Sequence, residues 1–208
     1  MNFLIIGYFN KLTINLSKKM INESKKNKIF LIDLKNKKNE KVEIFSKKNK
    51  QFSYIGYKIL KKKGLDNLVS SNKIKSIYYL VTFNDIKEDF LKKKNYFDKN
   101  IITFFNILKI CKTFKILLIY LTLIELDKKI RFNKNSKVNF NQLFFKYTKF
   151  INEQIAQYFY NNYRVISIGV RLPNLKIDDL INKLKFDDFL TKLAKKTNQK
   201  YKIIKFKN

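Results

Sequence analysis

The sequence predicts an α+β protein with an α/β-like C-terminal half: a mixed sheet backed by helices, with a strand-rich N-terminal half. Three observations support this. Hydrophobic residues make up 45% of the 208 positions, which is enough for a buried core. Short runs in the first half alternate apolar and polar residues, and strand and helix patterns alternate toward the C terminus. We expect a strand-rich basic region over 1–99, which could be an extension, and a mixed α/β region over 100–208, forming one compact unit.

The predicted strands of the first half share alternating runs rich in Ile, Phe and Tyr. They cover 28–35, 41–46, 52–60 and 74–83. A polar connection at 36–39 favours a hairpin between the first two of these strands. Asn84 is a candidate cap for a short polar helix that extends to Lys93.

In the second half, apolar residues at three- and four-residue spacing predict helices. These helices cover 101–108, 143–159 and 174–193. Uniformly apolar or alternating runs predict strands over 115–126, 164–172 and 202–206. The resulting β-α-β-α-β order favours a sheet that is backed by helices.

The composition argues against common catalytic chemistries. The chain has no His, one Cys and four Gly, which excludes an imidazole base, a thiolate metal cluster and a glycine-rich phosphate loop. The acidic pairs at 178–179 and 187–188 fall on opposite faces of one predicted helix, so we expect no metal site there. Cys111 is interpreted as a small buried hydrophobic residue, with a reactive thiol as the alternative. We therefore expect no catalytic residues, no cofactor and no enzyme.

The charge points to a polyanionic partner. The 46 Lys and Arg exceed the 16 Asp and Glu by 30, and residues 1–100 and 101–208 each carry +15. Nucleic acid is the expected partner, and an anionic membrane surface is the alternative. The longest apolar stretch, 116–126, is too short to span a bilayer, so we expect no transmembrane segment.

Clustered cations and the three Arg residues are the candidate phosphate contacts, with an ordinary solvated surface as the alternative. The RNA-binding candidates are Lys18, Lys19, Lys61, Lys62, Lys63, Lys92, Lys93, Lys94, Arg131, Lys134, Lys137, Arg164, Arg171, Lys195 and Lys196. Tyr158, Tyr160 and Tyr163 crowd one predicted helix end and are candidates for base stacking, with core packing as the alternative.

Scarce Gly, Ala, Arg and Pro beside abundant Lys, Asn, Ile, Phe and Tyr indicate an AT-rich gene. In this composition the chain resembles a ribosomal protein encoded by an AT-rich organelle genome, as in ciliate mitochondria. Residues 115–206 are locally similar to the C-terminal half of the S-eleven-type small-subunit protein, although Leu172-Pro173-Asn174 replaces that family's glycine-rich turn.

This resemblance implies a structural, rRNA-binding constituent of the small subunit of a mitochondrial ribosome. Its partners would be rRNA and neighbouring ribosomal proteins, with no small-molecule substrate. Two alternatives are a peripheral subunit of an organellar membrane complex and a basic nucleic-acid enzyme. The enzyme would need a carboxylate cluster assembled from Asp85, Asp89, Glu125 and Asp127.

Overall fold

The computed structural model describes residues 1–34, 40–61, 64–81, 97–123, 140–172 and 201–205. In chain order, the strands are β1 (Asn2–Gly7), β2 (Lys28–Asp33), β3 (Phe52–Gly56), β4 (Ile74–Leu80), β5 (Leu117–Leu123), β6 (Ser167–Leu172) and β7 (Lys202–Lys205). The α-helices of this part of the chain are α1 (Lys11–Glu23), α2 (Glu40–Lys48), α3 (Gly64–Ser71), α4 (Thr103–Phe114) and α5 (Phe140–Tyr163). A 3₁₀ turn covers Tyr57–Lys61, and a π-helical turn covers Asp98–Ile102.

All seven strands belong to one parallel sheet, in the order β3-β2-β1-β4-β5-β6-β7. Its central strands are buried on both faces, which explains why β5 is almost continuously apolar. Alternate residues of β1 point to opposite sides. Leu4 and Ile6 pack in the core beneath α3, α4 and α5, whereas Phe3 and Ile5 pack in the core beneath α1 and α2. The result is a doubly wound, Rossmann-type α/β fold.

The predicted sheet backed by helices is confirmed. The predicted strand over 41–46 is wrong, because these residues lie in α2, where Val42 and Phe45 are buried at helical spacing. The predicted hairpin through 36–39 is therefore wrong as well, and β2 instead pairs in parallel with β1 and β3. The strand predicted over 52–60 ends at Gly56, and the 3₁₀ turn follows.

In the second half, α4, α5, β5, β6 and β7 lie where the apolar patterns predict helices and strands, although α4 extends to Phe114 and β6 begins at Ser167, three residues after the predicted start. The predicted helices over 84–93 and 174–193, with their acidic pairs, lie outside the described residues. The four acidic residues of the alternative nucleic-acid enzyme, Asp85, Asp89, Glu125 and Asp127, also lie outside the described residues. No helix in the described part of the chain is long and apolar enough to cross a membrane.

Parallel pairing gives the sheet two chemically different edges. Every strand ends at one of them, the carboxyl edge, and begins at the other, the amino edge. The chain runs outward from β1 through β2 to β3, then crosses back to β4 on the other side of β1. The strand order reverses between β1 and β4. In open α/β sheets, ligands bind in the crevice at the carboxyl edge of such a reversal.

Candidate functional site

The turn from β1 into α1 lies at this reversal, at the carboxyl edge. Gly7 ends β1, and a Cβ atom there would lie 2.7 Å from the carbonyl oxygen of Leu80 on β4. Gly7 is therefore needed for the close approach of the two central strands. Asn10 caps α1: its Oδ1 accepts from the backbone N–H of Thr13 at 3.1 Å, and its own N–H donates to Thr13 Oγ1 at 3.1 Å. Side chains of the turn thus hold α1 in place without further glycines.

The first turn of α1 is electropositive. Lys11 is the first helical residue and is exposed, and the turn contains no acidic residue. A cation beside the positive end of the helix dipole is unfavourable by about 0.3–1 kcal/mol, whereas an anion there is stabilised. Because the helix begins at the crevice, the position favours a negatively charged group such as a phosphate.

Asp33 lies at the end of β2, next to the end of β1. Its side chain is almost completely buried, and the hydroxyl of Tyr54 on β3 donates a hydrogen bond to its Oδ2 at 3.1 Å. Burial raises the pKa of Tyr54, and the charge of Asp33 and the hydrogen bond raise it further. The tyrosine therefore remains a donor that orients the carboxylate. In Rossmann-type folds, an acidic residue about 20 positions beyond the first glycine accepts hydrogen bonds from a ribose hydroxyl.

A buried ammonium lies at the end of β4. Lys149 of α5 is 1% exposed, and its Nζ donates to the backbone oxygen of Val81 at 2.9 Å. The rings of Phe145 and Tyr79 lie 5.1 and 5.6 Å from the same Nζ. A buried cation is costly unless dipoles or π faces compensate it. Here they place a positive charge at the carboxyl edge, on the α5 side of the switch between β1 and β4.

A buried ion pair fixes α5 against the ends of β5 and β6. Both Glu153 oxygens accept from Arg171, from Nε at 3.0 Å and from Nη2 at 2.7 Å. The hydroxyl of Thr122 donates to Glu153 Oε1 at 2.7 Å. Since Glu153 lies one helical turn beyond Lys149, this contact also fixes the helix that carries the buried ammonium.

The residues predicted as RNA contacts are dispersed over the fold. Lys18 and Lys19 lie on α1, Lys61 ends the 3₁₀ turn, and Arg164 follows α5 at the amino edge. Arg171 lies near the carboxyl edge, paired with Glu153. Tyr158, Tyr160 and Tyr163 form the end of α5. The remaining candidates lie outside the described residues; they are Lys62, Lys63, Lys92, Lys93, Lys94, Arg131, Lys134, Lys137, Lys195 and Lys196.

Sequence reasoning missed Asp33, Lys149 and Glu153. Asp33 had a usable signal, because a single acidic residue closes an otherwise apolar strand. Lys149 and Glu153 had no such signal, because charged residues between the apolar positions of a helix usually lie on the surface.

The fold is shared with solved structures that include sugar-nucleotide epimerases and a dehydratase. Pal from Bacillus thuringiensis superposes with a TM-score of 0.71 at 13% identity, covering 99% of this chain and 77% of that one. UDP-glucuronic acid 4-epimerase from Bacillus cereus, solved with NAD, gives 0.66 at 13% identity over 99% and 78%. dTDP-glucose 4,6-dehydratase from Bacillus anthracis, also solved with NAD, gives 0.62 at 17% identity over 82% and 54%.

The chain spans about half the length of the dehydratase and of three further neighbours, which are two UDP-glucose 4-epimerases and an L-threonine 3-dehydrogenase. The sequence matches no protein-family model. No curated protein matches it either.

These structures contradict the ribosomal prediction. Their fold is that of epimerases and dehydratases and not that of the S-eleven-type protein. The resemblance over 115–206 rests on a predicted helix–strand–helix order, which is common to many α/β folds. The predictions of an rRNA-binding structural constituent, of rRNA and ribosomal partners, of no enzyme and of no small-molecule substrate are therefore wrong. The two alternatives, a membrane-complex subunit and a nucleic-acid enzyme, gain no support. The error arose because net charge reflects the residues on the surface, whereas the spacing of the buried apolar residues determines the fold.

The residues at the switch point are of the types that could hold the nucleoside end of a dinucleotide. Asp33 offers a buried, oriented carboxylate for ribose hydroxyls, and the start of α1 with Lys11 offers positive charge for a diphosphate. One feature departs from the usual pattern: only Gly7 of the glycine-rich turn is present, and Tyr8, Phe9 and Asn10 follow it. The diphosphate would therefore meet the capped helix start and a lysine in place of a glycine loop.

Proposed function

We propose that this chain binds an adenine dinucleotide at the carboxyl edge of its sheet and is the cofactor-binding part of an epimerase- or dehydratase-like enzyme. The observation that carries the proposal is Asp33, which is buried and oriented by Tyr54 beside the β1–α1 turn in a 3-2-1-4 sheet. Two of the solved structures with this fold contain NAD. The names of the four enzymes specify sugar nucleotides or threonine as the compounds they act on. A sugar nucleotide is the substrate class that most of these names share.

Each part of the crevice would have a separate task. Asp33 would accept hydrogen bonds from the adenosine ribose, and the start of α1 with Lys11 would face the diphosphate. Lys149, held at the end of β4, would place positive charge near the far half of the dinucleotide. A bound nicotinamide would supply the hydride acceptor and donor.

Isothermal titration of the full chain with NAD⁺ tests this proposal. We expect saturable binding, and Asp33→Asn should weaken it about 10- to 100-fold, because a hydrogen bond to a charged group contributes about 1.5–3 kcal/mol. Asp66→Asn is the matched control, because it removes an exposed carboxylate from the first turn of α3 and should leave affinity unchanged. Equal affinity in the Asp33 variant, or no binding by the folded chain, would refute the proposal.

Nicotinamide mononucleotide separates the two halves of the ligand. It lacks the adenosine that Asp33 would contact, so its weaker binding should be insensitive to Asp33→Asn. A comparable loss for both ligands would mean that Asp33 supports the crevice and does not contact the ribose.

A further inference from the structure

A cavity lies at the amino edge, at the opposite end of the strands from Asp33. Its volume is about 780 Å³, and it opens between the starts of β4, β5 and β6 and the ends of α4 and α5. Small-molecule sites usually measure about 300–1,000 Å³. The cavity is therefore large enough for one small molecule and too small to enclose a polymer.

The rim of this cavity is cationic. Lys75, Lys112, Lys115 and Arg164 line it, all four are exposed, and the described lining residues include no acid. The floor is apolar and consists mainly of Ile116, Leu117, Val165, Ile166 and the buried Cys111. Such a site attracts a negative head group and shelters a hydrophobic body.

Two of the cationic residues occupy a backbone conformation that residues other than glycine, asparagine and aspartate rarely adopt. Lys115 and Arg164 have φ of 53° and 56°, the left-handed region where glycine or asparagine normally ends a helix. Each follows a helix, α4 or α5, and precedes a strand that starts beside the cavity. The left-handed residues direct the chain from two neighbouring helices into two neighbouring strands, and both place a cation at the same rim.

A helix-capping role explains only part of the cluster. Cations near a helix C terminus are favourable, which accounts for Lys112, Lys115 and Arg164. Lys75 lies in β4 and gains nothing from a helix dipole. Lys112 is also held in place, with its Nζ 3.6 Å from the centroid of the Tyr163 ring, so that α4 and α5 present a positioned charge to the opening.

We propose that this cavity binds a small organic anion: a carboxylate or phosphate head group among the four cations, with an aliphatic or aromatic body on the apolar floor. The site is separate from the proposed dinucleotide crevice. Its occupant would therefore bind whether or not NAD is present, and loss of one site should leave the other intact.

Fluorescence titration of the full chain with 8-anilino-1-naphthalenesulfonate, an aromatic anion, tests the proposal. The pocket variant combines Lys112→Gln with Lys115→Asn, because asparagine tolerates the left-handed conformation. The control combines Lys47→Gln with Lys58→Gln, which removes the same two charges from exposed positions in α2 and the 3₁₀ turn. We expect at least tenfold weaker binding in the pocket variant and less than a twofold change in the control.

Three further arms make every result informative. The near-UV circular dichroism spectra of the variants must match that of the parent protein. If the double variant unfolds, Lys75→Gln alone, at an exposed strand position, replaces it as the pocket variant. Dodecanoate and dodecyl phosphate should both displace the probe, and the tighter competitor identifies the head group, whereas neutral dodecanol should not compete. Equal weakening in pocket and control variants, or displacement by dodecanol as effective as by the anions, would overturn the proposal.

Discussion

Removing the guanidinium of Arg171 should destabilise the protein strongly, because its partner carboxylate is almost fully buried. The side chain of Glu153 is 2% exposed and that of Arg171 is 14% exposed. In Arg171→Met, the carboxylate of Glu153 would keep only the hydrogen bond from Thr122 among the described residues. Leaving one member of a buried ion pair without its partner lowers the free energy of unfolding by about 3–5 kcal/mol. This is a large part of the total free energy of unfolding of a typical domain, which is about 5–15 kcal/mol.

Urea unfolding followed by far-UV circular dichroism measures this loss. A second variant, Arg171→Met with Glu153→Leu, removes both charges and should recover most of the stability, since replacing a buried pair with apolar residues is often neutral. Lys47→Met is the control for loss of one exposed cation, expected within about 0.5 kcal/mol of the parent. The Arg171→Met loss should persist at high salt, because buried pairs are weakly screened.

Two results would refute this reasoning. A loss below about 1 kcal/mol for Arg171→Met would place the pair in the energetic range of surface ion pairs. A double variant no more stable than Arg171→Met would show that packing of the arginine side chain, and not the stranded carboxylate, carries the effect.

Three further predictions concern single positions. Gly7→Ala should destabilise the protein by about 1–3 kcal/mol in urea unfolding, because its Cβ would meet the Leu80 carbonyl at 2.7 Å; an unchanged midpoint would mean that the strands separate freely. Burial raises the pKa of the Cys111 thiol, so it should resist a thiol reagent at pH 8 until urea unfolds the chain; rapid labelling of the native protein would contradict this. Tyr54→Phe, which removes the donor to Asp33, should weaken NAD⁺ binding less than Asp33→Asn; an equal or larger loss would place the tyrosine in contact with the ligand.

Much of the fold could be predicted because buried parallel strands have a strong signature. The run over 115–126 predicted β5 closely, and the stripe over 143–159 predicted α5. The segment over 41–46 failed because six residues satisfy both periodicities, and burial of Val42 and Phe45 decided for the helix. Short apolar runs remain ambiguous until their neighbours are known.

The candidate site was missed for a chemical reason. The usual signal for a dinucleotide crevice is a run of glycines after the first strand, and this chain keeps only Gly7. Asn10 and Thr13 hold the turn with side-chain hydrogen bonds, which single-sequence motifs do not register. Without a glycine-rich turn beside it, Asp33 is indistinguishable from any single acidic residue at the end of a strand, and the net charge of +30 favours a polyanionic partner.

Hydrogen exchange of the full chain with and without NAD⁺ locates the bound dinucleotide on the sheet. We expect slower exchange in the β1–α1 turn over 7–13 and at the end of β2 near Asp33, with the turns at the amino edge, around Lys115 and Arg164, unchanged. Protection confined to the amino edge, or no protection at NAD⁺ concentrations that saturate binding, would contradict the proposed binding at the carboxyl edge.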